Sequence, residues 1–281
     1  MNHKKEKIMQ GLFFLTACIS IVSVLLICIF LLANGLPAIK EIGIKNFLLG
    51  EIWRPSSNEF GILPMIVGSL YVTLGALVIG VPIGIFTAVF MAKFCPPVLY
   101  KLLKSAINLM AGIPSVVYGF FGLVVLVPFV RNYIGGYGMG VLTASILLGI
   151  MILPTIVSVS ESAIRAVPNH YYDGGLALGA SHERSIFFVV LPAAKRGILA
   201  SVILGLGRAV GETMAVIMVA GNQAILPSSL TSGVRTLTTN IVMEMGYSSG
   251  LHRQALIGTA VILFLFVLIV NIIFSLLRKE D

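Results

Sequence analysis

The chain has 281 residues, 58% of them hydrophobic and only 11% charged, with a mean hydropathy of +1.03. Soluble domains carry about 25% charged residues, so a water-soluble globular enzyme is excluded and a set of helices packed in lipid is implied. The formal net charge of +8 would point to nucleic acid in a soluble protein; here it reports topology, and no nucleic-acid partner is expected.

Six apolar segments, at about 10–33, 65–92, 105–130, 139–161, 197–221 and 254–277, come near or exceed the roughly 20 residues that cross a bilayer. The fold class is therefore all-α: a polytopic membrane protein with six transmembrane helices. The first span follows Lys4, Lys5 and Lys7 and could be taken for a signal peptide. Its apolar run is too long and no small-x-small cleavage site follows, so it is read as retained. A long loop, 34–64, comes next, with Trp53, Pro55 and Phe60 near its end. Trp53 fits an anchor at the membrane edge, with receptor docking as the sharper alternative. Residues 1–64 form one unit, a helix and its loop, and residues 65–281 a second unit of five helices.

Glycine and proline recur inside the second to fourth spans, including Gly75, Gly80, Pro82, Gly112, Pro114, Gly149 and Pro154. Small residues let membrane helices approach closely, and breaks expose carbonyls to a cavity. Between the fourth and fifth spans lies an amphipathic, charge-bearing insertion at about 162–196. Its sequence predicts a short helix, a turn at Gly179, a second helix capped by Ser181 with Glu183 in the first turn, and a stop at Pro192. The small residues Gly174, Gly175 and Ala177 would let another protein approach the backbone. This is the shape of a docking element.

The fifth span contains Gly207-Arg208-Ala209-Val210-Gly211-Glu212-Thr213. A charge inside the bilayer costs about 2.5–3.5 kcal/mol on insertion scales. Arg208 and Glu212 are four residues apart, so on a continuous helix they share a face and pair. The functional reading puts Arg208, Glu212 and Thr213 on a translocation path, where a guanidinium offers a planar fork of donors to an oxyanion. The alternative is a structural ion pair that fixes helix packing. The loop at about 222–253, with Thr236, Thr238, Thr239, Asn240 and Glu244, is polar enough to allow partial re-entry.

Lysine and arginine set the orientation. Lys4, Lys5, Lys7, Lys93, Lys101, Lys104, Arg165, Arg184, Lys195, Arg196, Arg278 and Lys279 fall on the N-terminal side, and Lys40, Lys45, Arg54, Arg131, Arg235 and Arg253 on the other. This bias places both termini and the docking insertion in the cytoplasm. Cys18, Cys28 and Cys95 share no metal or redox spacing, and the four histidines are scattered, so no metal site is expected. No G-x-x-x-x-G-K-[ST] occurs, so the chain has no recognisable nucleotide site. No nucleophile, base and acid converge in one span, and enzymatic activity is not expected.

The insertion carries Asp173-Gly174-Gly175, then Gly179, then Val189, Leu191 and Pro192. This resembles the EAA loop through which ABC importer permeases couple to their ATPases, with Asp for Glu and Gly for both Ala. Asp173, Gly174, Gly175, Gly179, Leu191 and Pro192 would then be the ATPase-coupling positions. Further phrases resemble the phosphate-import branch: Trp53-Arg54-Pro55 with Phe60-Gly61, Ile113-Pro114-Ser115-Val116-Val117-Tyr118-Gly119, Ser160-Glu161-Ser162-Ala163, and Gly207 through Thr213. The resemblance covers about 50–277 and leans toward the PstC-type subunit. It implies the type I ABC importer permease fold in a bacterial cytoplasmic membrane, with residues 34–64 as a periplasmic loop. It also implies four kinds of partner: a second homologous permease of the PstA type, two cytoplasmic ATPases of the PstB type, a periplasmic or lipid-anchored phosphate-binding protein of the PstS type, and the lipid bilayer. The chain itself would carry no cofactor, ATP and Mg being bound by the ATPases. The family's in-membrane arginine and glutamate fall on Arg208 and Glu212. Molybdate or sulfate is the other substrate class, and a proton-coupled secondary transporter would need no docking loop.

Overall fold

The computed structural model describes residues 3–279, with side chains from Glu6 to Ile272. The side chains of His3, Lys4, Lys5, Arg278 and Lys279, used in the sequence reading, lie outside those described. In chain order the elements are helices α1 (His3–Ile42) and α2 (Ile44–Leu49), a two-residue hairpin of β1 (Trp53–Arg54) and β2 (Glu59–Phe60), then α3 (Leu63–Val89), α4 (Pro97–Gly112), α5 (Ser115–Phe121), α6 (Val127–Tyr133) and α7 (Val141–Arg165). They continue as α8 (Asn169–Ala177), α9 (His182–Ser185), α10 (Leu191–Gly211), α11 (Met214–Val219), α12 (Leu237–Met245) and α13 (Gly250–Lys279). Among the described residues, six helical stretches are long and apolar enough to cross a membrane: Glu6–Ile42, Leu63–Phe94, Ser115–Tyr133, Val141–Arg165, His182–Gly211 and Gly250–Ile272. The all-α, six-span expectation holds.

Helix α7 is the centre of the bundle, and its closest neighbour is α3. Gly80 makes that closeness possible. A Cβ there would lie 2.8 Å from the Ile152 side chain and 2.9 Å from the Gly149 carbonyl oxygen on α7. Val72, Ala76, Ala144, Leu148, Ile152 and Val216 fill the middle of the bundle. One end of the bundle carries the docking loop and the other the hairpin.

Four boundaries differ from the sequence reading. Helix α1, expected to end near residue 33, continues through Pro37 to Ile42, because Gly35 lets it lie against Gly258 and Val261 of α13. The third span begins at Ser115 rather than near 105. Pro114 forces Ile113 into extended geometry (φ −69°, ψ 126°), and α4 becomes a separate helix in which only Ile107 is buried. Pro192 does not stop the second docking helix. A π-helical segment, Ile186–Val190, joins α9 to α10, and the extra residue in that turn accommodates the ring and the missing N–H of Pro192. The helix of the fifth span stops at Gly211 instead of running on to about 221.

The hairpin end is organised around Glu244. Its Oε1 accepts from Arg235 Nη1 at 2.6 Å, and its Oε2 accepts from Trp53 Nε1 at 2.8 Å and lies 2.8 Å from His252 Nε2. Trp53 is therefore buried, edge-on to Phe60, and is not a membrane-edge anchor: its indole N–H has a carboxylate partner 191 residues away. The polar loop turns back into the bundle as the sequence allowed. The Leu237 N–H donates to Ser69 Oγ at 2.9 Å, six residues inside α3 and so about 9 Å below its end at 1.5 Å per residue.

Glu244→Ala leaves the Trp53 N–H without its acceptor and removes the carboxylate that neutralises Arg235, and we expect it to cost about 3–5 kcal/mol. Thermal unfolding in detergent measures the loss, and because Trp53 is the sole tryptophan, a red shift of its emission localises it. Gly80→Val overpacks the α3–α7 contact and should cost about 1–3 kcal/mol. Gly11→Val, where nothing lies within 4 Å, should leave the same unfolding midpoint unmoved.

Candidate functional site

The docking insertion folds as the sequence predicts up to Pro192. Helix α8 ends at Ala177, and Gly179 turns the chain at φ +83°, a conformation L side chains rarely adopt. Nothing lies within 4 Å of a Cβ built at Gly179, so the glycine serves the dihedral angle and not the space. Ser181 then caps α9 by accepting from the Arg184 N–H at 3.3 Å. The small residues divide into two kinds. Gly174 and Ala177 are exposed, whereas Gly175 is buried, with Ser185 Oγ 2.7 Å from where a Cβ would stand. Gly175 thus holds α8 against α9, and only its neighbours are open to another protein. Asp173 is exposed, as are Tyr171, Leu176 and, at 91%, Leu178. Pro192 is exposed and Leu191 packs partly into the core at this end.

Aromatic and polar contacts stiffen the loop. The Tyr172 hydroxyl lies 2.7 Å from His182 Nδ1, tying α8 to α9. The Phe94 ring meets His182 edge-on at 5.0 Å, and Lys93 Nζ sits 5.9 Å from the Tyr172 ring centre. The loop is therefore held to the end of α3 as well as to the two spans that flank it.

In the fifth span the structure corrects the sequence reading. Arg208 and Glu212 form no ion pair and no hydrogen bond with each other. The helix ends at Gly211, and Glu212 is extended (φ −70°, ψ 129°), so the four-residue spacing no longer places both side chains on one face. Glu212 Oε1 instead accepts from the Ala215 N–H at 3.2 Å, capping α11, and its carbonyl accepts from Thr238 Oγ1 at 3.2 Å. Thr213 Oγ1 donates to the Gly211 carbonyl at 3.3 Å. Glu212 and Thr213 thus sit together at the break, one residue beyond the last turn that carries Arg208.

Arg208 is half-buried, and among the described residues its guanidinium has no hydrogen-bond or ion-pair partner. It lies within electrostatic range of the Tyr118 hydroxyl on α5, which donates to the Met110 carbonyl at 2.9 Å. Beside it, Leu204, Gly207 and Gly211 are exposed. With Arg208 they occupy positions i, i+3, i+4 and i+7 of one helical face, and nothing lies within 4 Å of a Cβ at either glycine. An uncommitted guanidinium thus stands on an open stripe beside a helix break. Chemically, the arrangement can receive a planar or tetrahedral oxyanion through paired N–H donors.

Sequence reasoning missed two features. The Tyr118 contact was quoted only as part of a phrase. Glu161 is 1% exposed and gathers three donors: Tyr100 Oη at 2.8 Å, Arg165 Nε at 2.8 Å and Lys104 Nζ at 2.7 Å. The signal was present, because an acidic residue closed the predicted fourth span and needed donors there. The hydrogen bond to this carboxylate, with burial, holds the Tyr100 hydroxyl above its ordinary pKa of 10.0. Among the described residues no group of three or more metal-ligating side chains occurs.

Residues 80–280 match the family described as binding-protein-dependent transport system inner membrane component. The chain is 39% identical over 279 residues to the probable ABC transporter permease protein YqgH of Bacillus subtilis, covering 95% of this chain and 90% of that one. It is 34% identical over 265 residues to the phosphate transport system permease protein PstC of Mesorhizobium japonicum, covering 87% and 81%. In fold it is similar to a chain of a bacterial ABC transporter involved in the import of the acidic polysaccharide alginate, at a TM-score of 0.64 and 14% identity over 95% and 96% of the two chains. A family match over residues 80–280, which takes in the loop between the fourth and fifth of six apolar spans, and permease relatives at 34–39% identity make the chain a member of the inner-membrane permease components of binding-protein-dependent ABC importers.

Proposed function

We propose that the chain is one of two membrane-spanning subunits of an ATP-driven importer that carries inorganic phosphate into the cytoplasm. The observation that carries this reading is the unpaired Arg208 guanidinium at the break between α10 and α11. Leaving a cation unmatched inside a membrane helix costs free energy, and such groups usually mark a path. Phosphate offers the bidentate oxygens that a guanidinium fork fits. Relatives that carry the name PstC support the choice of phosphate.

In this mechanism the docking loop faces the cytoplasm with both termini, in line with the lysine and arginine bias. Two ATPases of the PstB type bind ATP and Mg, and one of them seats against Asp173, Gly174 and the exposed tip at Leu178. Gly179, Leu191 and Pro192 set the shape of the element it grips. A second permease of the PstA type faces the open stripe of Leu204, Gly207, Arg208 and Gly211, and a phosphate-binding protein of the PstS type delivers the anion at the hairpin end. ATP-driven closure draws the docking loops together and opens the path outward; hydrolysis resets it. In the conformation described, Glu212 is held on α11, so Arg208 is free to take the anion. The carboxylate one residue past that turn keeps the grip weak enough for release. The chain needs no cofactor of its own.

Reconstituted with its three partner types, the complex should take up phosphate only with ATP. Arg208→Gln should reduce that uptake to background while the subunits still co-purify; normal transport by this variant would remove Arg208 from the path. Saturating molybdate or sulfate should fail to compete, and competition by either would reassign the anion. Gly179→Trp should release the ATPase on purification, since it strains the turn and fills the space in front of it. Retention of the ATPase would refute the coupling role.

A further inference from the structure

Glu161 stands one turn before the end of α7, with its side chain only 2% exposed. Its donors come from two helices. Tyr100 and Lys104 lie four residues apart on one face of α4, and Arg165 is on α7 itself. Arg165 also donates Nη2 to the Met91 carbonyl at 2.8 Å, at the end of α3, and its guanidinium lies 4.5 Å from the Tyr100 ring centre. Two helices therefore meet on one carboxylate, and Arg165 ties the segment after α3 to the same junction.

Helix α4 fully buries only Ile107, with Tyr100 and Leu103 packed partly beside it, and the Glu161 contacts add a polar attachment to this modest apolar one. What α4 connects gives those contacts a use. Immediately after Arg165 the chain passes through Ala166–Pro168 into α8 of the docking loop. Just after Met91, Lys93 and Phe94 touch Tyr172 and His182 of that loop. At the other end of α4, the Tyr118 hydroxyl closes the corner between α4 and α5 by donating to the Met110 carbonyl at 2.9 Å. The same hydroxyl lies within electrostatic range of Arg208, and Tyr118 packs in the same core cluster as Ala209, the next residue of α10.

We infer that Glu161 is a positioning residue for coupling: it makes α4 move as one body with the docking loop, so that displacement of the loop is delivered through the α4–α5 corner to Tyr118, which packs in one cluster with the turn of α10 that carries Arg208. The inference rests on the transporter reading above. Two rigid links, the Glu161 junction and the Tyr118–Met110 hydrogen bond, bracket a helix whose apolar packing is modest. Cutting the first should leave the ATPase seated on its loop yet detach that loop from the anion site.

Phosphate uptake and ATP hydrolysis measured together in vesicles holding the full complex test this. Glu161→Gln keeps the side-chain size but removes the charge and sets an amide N–H₂ among donors. It should lower phosphate carried per ATP hydrolysed by about tenfold, a size ordinary for coupling between sites, with subunit stoichiometry and ATP hydrolysis retained. Lys104→Met removes one donor of three and should shift the same ratio in the same direction by less, which decides the matter if Glu161→Gln does not assemble. Uptake and hydrolysis that fall in proportion, or a ratio unchanged in the variants that assemble, overturns the inference. If the wild-type complex shows no ATP-dependent phosphate uptake, the transporter reading falls instead, and the two failures are distinguishable.

Discussion

A charged side chain among membrane helices is tolerated when its hydrogen-bonding capacity is met and is expensive when it is not. This constraint orders the whole bundle. At the loop end Glu161 is met by a tyrosine, a lysine and an arginine; at the hairpin end Glu244 is met by an arginine, an indole and a histidine. Each buried carboxylate fastens segments that are distant in sequence, and each sits where helices must be held at a fixed relative position. Between them, Arg208 is left unmatched among the described residues. Two satisfied anions at the ends and one unsatisfied cation between them is an arrangement that fixes the frame and leaves the middle available for chemistry.

The helices themselves are shaped by a second local rule. Each π-helical segment among the described residues is followed within three residues by proline: Phe90–Phe94 by Pro96 and Pro97, Gly122–Leu126 by Pro128, and Ile186–Val190 by Pro192. A proline ring clashes with the carbonyl four residues back and supplies no N–H. Widening the preceding turn by one residue removes the clash, so at Pro128 and Pro192 the helix continues instead of ending. At Pro96 and Pro97 the chain does leave the helix, at Cys95, which is extended. The same π turn and proline thus continue a span in two places and end one in a third, so the local pattern by itself does not separate the two outcomes.

That distinction shows why some features were legible in the sequence and others were not. The six spans, the loop between the fourth and fifth, the cap at Ser181 and the turn at Gly179 each depend on residues within a few positions of one another, and all were readable. The pairing of Arg208 with Glu212 was inferred from spacing on a continuous helix. That helix is broken at Glu212, whose carbonyl bonds Thr238, 26 residues away. Trp53 reads as an anchor at the membrane edge because tryptophan is enriched there; its partner is Glu244, 191 residues on. Helix α4 was merged with the third span because apolar residues continue across Ile113–Pro114, and the corner there is recognisable only once Tyr118 is seen to reach Met110. In the first two cases a contact across 26 and 191 residues overrides a sound local expectation; in the third the corner is local, set by Pro114 and closed over eight residues.

Helix α7 is packed on all sides, whereas the long first helix is exposed along nearly its whole apolar length. Lipid suits α1, whose surface is mostly apolar and whose Thr16, Ser20, Ser23 and Asn34 side chains donate to carbonyls of their own helix. It does not suffice for the stripe of Leu204, Gly207, Arg208 and Gly211, where a guanidinium and two bare glycine backbones face outward together. Hydrocarbon offers that guanidinium no acceptor, and glycines in a membrane helix suit the close approach of another backbone. On the proposed reading, then, this chain supplies one wall of a path, and the acceptors that Arg208 lacks within it belong to the facing subunit or to the anion passing between them.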